Sequence, residues 1–296
     1  MNSSRLDRRR FLSLLGGGVV AGAAASAGLG LPAVAAGDRG WRRLGEGTDL
    51  SGWETILGDG LYTAAGQVPV NAADVTAEHL GGYSNLRANI ANRGVMAHVL
   101  SFKRFTDDYP LSEPDSSLMR CSHRADYEFR LPYLPSTAGG PFNAQTVEGG
   151  LFVWDGLDTR VDHGTAFQWV LNPWLPNYGQ IQVWSDGEDG NGAWIPGGYL
   201  KPDTEWHSAR FLVNPADRRV ELSIDGTLFP APYCRTPKIG WGTDVSARLQ
   251  AEAISIWPGA KATWAPQHEM HVRNWRWVRK APHPTRDDAP KSPSKR

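Results

Sequence analysis

The sequence places several carboxylates in or beside short alternating segments, and hydrolysis of a glycosidic bond usually requires a pair of carboxylates. Glu252 is one candidate catalytic acid, since Ala251, Ala253 and Ile254 around it are apolar. A carboxyl group withdrawn from water holds its proton more tightly, which suits a proton donor. Glu128, in a segment that alternates between polar and apolar residues, is the second candidate catalytic acid. The remaining acidic candidates are Asp155, Asp158, Asp162 and Glu221.

Two interpretations of Glu252 follow from its place in an alternating segment. Residues 250, 252, 254 and 256 would share one face of a strand, because side chains alternate between the two faces. If that face is open to a ligand, Glu252 lies beside Gln250 and can donate a proton. If that face lies between two sheets, the buried charge requires a partner such as Arg273 or Arg276.

Tryptophan is unusually frequent, with 13 copies in 296 residues. An indole ring has a flat apolar face and one N–H group at its edge, which fits the C–H faces and hydroxyl rims of sugars. The alternative is that these rings fill the space between two sheets. Four of the rings fall within 26 residues, at Trp169, Trp174, Trp184 and Trp194.

Period-two alternation is clearest at residues 180–184, where Gln180, Gln182 and Trp184 share one face and Ile181 and Val183 share the other. We interpret the polar, ring-bearing face as the wall of a sugar-binding cleft, and the alternative is an outer face that contacts only solvent. The predicted substrate-binding residues are Trp154, Gln168, Trp169, Gln180, Gln182 and Trp184.

Metal ligands are sparse in the sequence. The segment 186–192 (DGEDGNG) is rich in oxygen donors and could wrap Ca²⁺, but Gly190 occupies a ligand position of an EF-hand loop, so a solvated turn is the alternative. No Cys or His spacing matches a zinc site. We therefore expect no cofactor, with Ca²⁺ as the one ion to consider. Cys121 and Cys234 either form a disulfide or remain two buried thiols.

The elements that must position these residues are strands. Short segments bounded by Gly, Pro, Asn and Asp have the alternation and the β-branched and aromatic content of strands. No amphipathic helix longer than three turns is evident, and 33 Gly and 21 Pro favour many turns. This pattern predicts an all-β sandwich or jelly roll of antiparallel sheets. The nine predicted strands are residues 95–102, 125–131, 150–154, 166–171, 180–184, 207–213, 219–224, 250–257 and 268–277.

The two ends of the chain differ from the rest. Residues 1–35 begin with a basic stretch that includes Arg8 and Arg9, continue with an apolar Gly/Ala-rich run and end in Ala33-Val34-Ala35, which is typical of an export signal. The paired arginines before Phe-Leu predict recognition by the twin-arginine export machinery. A retained membrane anchor is the alternative. We expect a secreted, periplasmic or cell-envelope protein, with no membrane span after the signal is removed.

One domain is expected between the two ends, over residues 36–280. Residues 54–92 have a less regular pattern and are expected to form an insertion or a surface crossover. Residues 281–296 combine Pro and charge with little apolar content, so we expect a disordered tail. The net charge is zero and no basic cluster lies between residue 43 and that tail, which excludes a typical nucleic-acid-binding surface.

Four segments in order resemble one family. Residues 41–53 (WRRLGEGTDLSGW) resemble the opening of the 3-keto-disaccharide hydrolase domain family. Residues 149–154 (GGLFVW), the hairpin of residues 205–211 and 220–226, and residues 272–277 (VRNWRW) are similar to later segments of that family. The resemblance implies a concanavalin A-like jelly roll of two antiparallel sheets whose concave face meets a sugar. It also implies a hydrolase that acts on a glycoside or a 3-keto-glycoside.

The sequence departs from the family pattern at three polar positions. Trp154 stands where the family commonly has Arg, Ala166 where it has an acid, and Glu252 where it has His. The chemistry is therefore either rebuilt with other residues or lost, and the alternatives are a non-catalytic carbohydrate-binding module, a polysaccharide lyase-like enzyme or a structural envelope protein. An enzyme predicts two carboxylates, or an acid and a histidine, that converge in one cleft. A binding module predicts a platform of rings without such a pair.

Overall fold

The computed structural model describes residues 40–57, 75–88, 96–106, 117–135, 144–154, 162–185, 193–233, 245–256 and 268–281. All regular elements in these ranges are strands. In chain order they are β1 (Trp41–Gly47), β2 (Glu54–Leu57), β3 (Val75–His79), β4 (Ser84–Ala88), β5 (Met96–Thr106), β6 (Ser122–Arg130), β7 (Ala144–Trp154), β8 (Asp162–Val170), β9 (Gln180–Ser185), β10 (Ala193–Tyr199), β11 (His207–Asn214), β12 (Arg219–Ile224), β13 (Thr227–Phe229), β14 (Ser246–Ile256) and β15 (Glu269–Lys280).

The strands form two antiparallel sheets. Sheet A has the order β13-β12-β11-β6-β15-β4-β3, and β1 also pairs with β15, alongside its second half. Sheet B has the order β10-β9-β8-β7-β14-β5-β2. Among the described residues, no helix is long and apolar enough to cross a membrane. The strand-only composition and the two antiparallel sheets confirm the all-β, two-sheet architecture expected from the sequence.

A single hydrophobic core lies between the sheets. Alternate residues of β6, β11 and β15 on one side, and of β7, β8 and β14 on the other, are fully buried and form one cluster. Its largest members include Trp169 and Phe167 from sheet B and Trp277, Tyr127 and Phe129 from sheet A. Because side chains alternate, the residues between these core positions form the outer face of each sheet.

Close approach of the two sheets requires glycine at one position of β7. A β-carbon built on Gly149 would lie 1.7 Å from Oη of Tyr127 on sheet A. The Tyr127 hydroxyl also donates a hydrogen bond across the sandwich to the backbone oxygen of Gln250, at 3.3 Å. Gly149 thus keeps β7 close enough to sheet A for Tyr127 to tie the two layers together.

All nine predicted strands are present, with boundaries that differ by several residues. The strands that the sequence did not predict are mostly short or lie at sheet edges: β1, β2, β3, β4, β10 and β13. Three of these fall within residues 54–92, where an irregular crossover was expected, so that expectation was wrong for β2, β3 and β4. The predicted signal segment and residues 282–296 lie outside the described residues.

Candidate functional site

Two glutamates face each other on the outer face of sheet B. Glu252 of β14 is the direct cross-strand partner of Glu148 of β7. The row continues through Gln168 of β8, which pairs with Glu148, to Gln182 of β9. Neighbouring residues of each strand, such as Ala251 and Ala253, belong to the core, so the row lies outside the sandwich. Direct cross-strand partners have β-carbons about 4.5–5.5 Å apart, so the two glutamate side chains begin at neighbouring positions on this face.

Each glutamate has its own hydrogen-bond partner. Nδ1 of His98 lies 2.6 Å from Oε1 of Glu252, and both side chains are almost fully buried. Nε2 of Gln168 donates to Oε1 of Glu148 at 2.5 Å, and this contact is also buried. The side-chain exposures of Glu148 and Glu252 are only 7% and 3%. The partner that the sequence suggested for a buried Glu252 was an arginine, whereas the structure provides a histidine.

Two buried polar atoms lie beside the two carboxyl groups. Among the described residues, Oγ1 of Thr146 and Oε1 of Gln250 are buried and make no hydrogen bond. Thr146 precedes Glu148 by two residues and Gln250 precedes Glu252 by two residues, so all four share the outer face. Buried polar groups are normally hydrogen-bonded. These two atoms beside the acid pair are therefore candidate contacts for a bound ligand.

An aromatic strip borders this polar row on β9 and β10. The predicted alternation of residues 180–184 is present: Gln180, Gln182 and Trp184 are partly exposed on the outer face, and the residues between them are fully buried. Trp184 pairs with Trp194 across the strands, and their rings meet edge to face with centroids 5.3 Å apart. Nε2 of Gln182 donates to Oε1 of Gln180 at 3.1 Å. The strip combines ring faces with amide groups, and its role in binding sugar stays a prediction.

A second group of rings lies on the same outer face, near the first residues of β14. Phe102, Phe152, Trp154 and Arg248, together with Arg104 and Ser246, line a depression of about 290 Å³. The guanidinium carbon of Arg248 lies 5.8 Å from the ring centroids of both Phe102 and Phe152. Trp154, a predicted substrate-binding residue, is therefore on the same face as Gln168, Gln180, Gln182 and Trp184.

Glu128 does not join Glu252. It lies on the outer face of sheet A, on the opposite side of the sandwich, because the alternate residues Tyr127 and Phe129 point into the core. Nε of Arg273 donates to Oε2 of Glu128 at 2.6 Å, and both side chains are about one-third exposed. The structure thus corrects the predicted grouping: the acid next to Glu252 is Glu148.

Trp169 lies between the sheets, away from the outer face. It is fully buried, and its indole N–H group donates to the backbone oxygen of Leu200 at 3.0 Å. Its ring packs against Phe129 of sheet A and against His207. Among the predicted sugar-contacting residues, Trp169 therefore occupies a core position, which was the alternative interpretation for the tryptophans.

Glu148 was the acid that the sequence analysis missed. It lies in the segment Val147-Glu148-Gly149-Gly150, which was not assigned to a strand before Gly150. The strand β7 in fact begins at Ala144. A strand extended backward through Val147 and Thr146 would have placed Glu148 on the same face as Phe152, which is the signal that could have revealed it.

The described residues contain no group of three or more His, Cys, Asp or Glu that could hold a metal ion. The candidate Ca²⁺ segment, residues 186–192, lies outside the described ranges. Cys121 is buried, and Nη1 of Arg279 donates to its sulfur atom at 3.4 Å. Cys234 lies outside the described residues, so the disulfide stays a prediction.

No protein-family model and no curated protein sequence matches the chain. Among solved structures, it is similar to the catalytic domain of an endo-1,3-beta-glucanase (laminarinase) from Thermotoga petrophila RKU-1, with 12% identity and a TM-score of 0.47 over 81% of this chain and 98% of that chain. It is similar to a galectin-like protein of unknown function from Bacillus subtilis, with 9% identity and a TM-score of 0.44 over 82% and 100% of the two chains. It is also similar to a beta-glucanase of Bacillus licheniformis, with 11% identity and a TM-score of 0.40 over 79% and 94%. The chain is an all-β sandwich of two antiparallel sheets.

Proposed function

We propose that this protein hydrolyses a glycosidic bond on the outer face of sheet B. The observation that carries the proposal is the direct cross-strand pairing of Glu148 with Glu252 beside His98 and Gln168. Retaining glycosidases hold their two carboxyl groups about 5–5.5 Å apart. Directly opposed residues, with β-carbons about 4.5–5.5 Å apart, allow two glutamate side chains to reach that separation. From the sequence, we expected an enzyme to have either two carboxyl groups or an acid and a histidine on one face. The outer face of sheet B has both.

The hydrogen bonds to the two glutamates favour different catalytic roles for them. With its proton on Nδ1, His98 donates to Oε1 of Glu252 and orients that carboxyl group. The mechanism requires one acid that carries a proton and one that does not. We assign the proton to Glu148, whose Oε1 still accepts from Gln168 when its other oxygen is protonated. Glu252 is then the nucleophile and Glu148 the general acid. This assignment reverses the proton-donor role that the sequence suggested for Glu252.

The proposed reaction has two steps and retains the configuration of the anomeric carbon. Glu252 attacks the anomeric carbon and forms a glycosyl ester, while the bond to the leaving oxygen breaks and that oxygen takes the proton of Glu148. Water then attacks the anomeric carbon and gives a proton to the Glu148 carboxylate. The ester bond breaks, and Glu252 is released as a carboxylate.

The surroundings of the acid pair support a carbohydrate substrate. Trp184 and Trp194 offer ring faces for sugar C–H groups, and Gln180 and Gln182 offer amides for hydroxyl groups. Gln182 is only partly buried and continues the row that leads to the buried acids. The polar row therefore connects a partly open surface with the reacting groups.

The test uses two isosteric variants, Glu148→Gln and Glu252→Gln, with Glu46→Gln as a control. Glu46 is about half exposed on sheet A and pairs with Arg43. We expect either active-site variant to lose turnover of an activated aryl glycoside by a factor of about 10³ or more, and the control to keep it. NMR of the first-formed sugar should show the retained anomer. Full turnover in both active-site variants would contradict the proposal.

A second candidate function is carbohydrate binding without catalysis. The ring-and-amide strip on β9 and β10 favours it, because that strip needs no acid to hold a sugar. In that case Glu148→Gln and Glu252→Gln would keep glycan affinity, and no glycoside would be turned over by the wild type. Calorimetry with glycan and a turnover assay on the same samples separate the two functions.

Two further proposals, for the identity of the substrate and for the cellular location of the protein, rest on the sequence. The four family-like segments favour a 3-keto-disaccharide as the substrate, which a comparison of 3-keto- and unmodified disaccharide turnover tests. Arg8 and Arg9 favour export by the twin-arginine route. Replacing both with Lys should leave the precursor in the cytoplasm, and normal secretion of that variant would contradict the export proposal.

A further inference from the structure

Two arginines face each other on the outer face of sheet B. Arg248 of β14 is the direct cross-strand partner of Arg104 of β5. Like charges directly opposite one another destabilise a sheet. Arg104 approaches Glu54 to 3.4 Å, but both of these side chains are more than half exposed, so that ion pair is weak. Arg104 and Arg248 thus bring two positive charges to adjacent positions, and the exposed pair with Glu54 offsets them only weakly.

Arg248 lies in a depression that is lined by aromatic rings. Its Nε atom is buried and has no partner among the described residues. Its guanidinium group lies between Phe102 and Phe152, at 5.8 Å from each ring centroid. With Trp154 and Ser246, these residues line the depression of about 290 Å³. The rings fix the position of the guanidinium group and leave its N–H groups available to a ligand.

We propose that this depression binds the carboxylate of a sugar acid. A guanidinium group with free N–H donors matches a carboxylate, which it can hold through two parallel hydrogen bonds. The second guanidinium, from Arg104, adds positive charge on the same side. Trp154 and the phenylalanine rings suit the apolar face of a pyranose ring. The ligand class is therefore a hexuronate-containing oligosaccharide.

The site lies on the same surface as the acid pair. Arg248 and Glu252 are four residues apart on one face of β14, or about 13 Å at the usual rise of a strand. A sugar acid in the depression would extend along the outer face toward Glu148 and Glu252. The binding site itself does not require catalysis, but its role in choosing the substrate rests on the proposed hydrolysis.

The experiment measures affinity by calorimetry for an oligogalacturonate, its methyl ester, a sulfated neutral oligosaccharide and inorganic sulfate. We expect the wild type to bind the oligogalacturonate about tenfold or more tightly than the methyl ester. Arg248→Gln should remove that difference, and Arg104→Gln should reduce it. The preference should weaken as salt is raised, because the depression is open to solvent. Tighter binding of the sulfated sugar or of sulfate would assign the site to sulfate groups instead and overturn the carboxylate proposal.

Two controls keep the result decisive. Arg219→Gln removes an exposed arginine from sheet A and should leave every affinity unchanged. Arg104 is exposed, so Arg104→Gln folds even if Arg248→Gln does not. Equal affinity of wild type and both variants for the oligogalacturonate, or no binding of it at all, would overturn the proposal. Because calorimetry records binding, uronate binding by a wild type that turns over no glycoside would support this site and contradict the proposed hydrolysis.

Discussion

Nδ1 of His98 lies 2.6 Å from Oε1 of Glu252 in a part of the structure that water barely reaches. His98→Ala removes this partner from a buried carboxyl group, and we expect a loss of about 1–3 kcal/mol in unfolding free energy. Turnover should fall more than the stability loss explains, with the change in kcat rather than KM. His98→Gln retains an amide donor and should recover part of both. Unchanged kcat in His98→Ala would remove His98 from the site.

Trp184 and Trp169 form a matched pair for testing the aromatic strip. Trp184→Ala should weaken glycan binding by about 1–3 kcal/mol, because it removes a partly exposed ring from the outer face, and it should affect stability less than loss of a core ring does. Trp169→Ala removes a fully buried ring and should cost about 3–5 kcal/mol of unfolding free energy. Thermal melts and glycan titrations of both variants give the comparison. The reverse pattern would place Trp184 in the core.

Gly149 is predicted to tolerate no side chain. In Gly149→Ala the new methyl group would collide with the Tyr127 hydroxyl, so Tyr127 or β7 must move, at a cost of about 1–3 kcal/mol. The control is Gly81→Ala, where open space surrounds the site and only the positive φ of 69° opposes the change, at about 1 kcal/mol. Denaturant titrations should rank Gly149→Ala as the less stable variant. Tyr127→Phe should relieve part of the collision.

Acid should destabilise the fold through two buried histidines. Burial lowers the pKa of His123 and of His268 to about 4 from the usual 6.5. Protonation therefore favours the unfolded chain. The stability that each neutral imidazole contributes, up to about 3 kcal/mol, is fully present above pH 6.5 and is lost as the pH falls toward 4. Urea titrations over this range should show the decline, and His268→Gln should flatten it.

His207 responds in the opposite sense and serves as an internal comparison. Its burial disfavours the charged form, but the hydrogen bonds and charges of Asp225 and Asp203 outweigh that effect and raise its pKa. Its contribution to stability is therefore complete below pH 6.5 and is lost as the pH rises through the raised pKa. His207→Gln should reduce stability more at pH 5.5 than at pH 8.5. Equal losses at both pH values would contradict this assignment.

Sequence patterns identified the strands because most of them have one buried and one outer face, which imposes a period of two. The same alternation placed Gln180, Gln182 and Trp184 on one face. It could not decide which sheet a strand joins, so Glu128 and Glu252 were paired although they lie on opposite sides of the sandwich. Register is a non-local property, and the pairing of Glu252 with Glu148 joins residues about a hundred positions apart in the chain.

The central strands of both sheets have a consequence for the order of events during synthesis. β14 lies between β7 and β5, and β15 lies between β6 and the strands β4 and β1. Neither sheet can be completed before residues 246–280 have left the ribosome. Until then, the strands that pair with β14 and β15 have backbone N–H and C=O groups without their partners. Folds built from such distant pairings form slowly, and their waiting edges are prone to aggregation. A growing chain of this protein should therefore depend on a chaperone until β15 is made, and its proteolytic resistance should rise abruptly at that length.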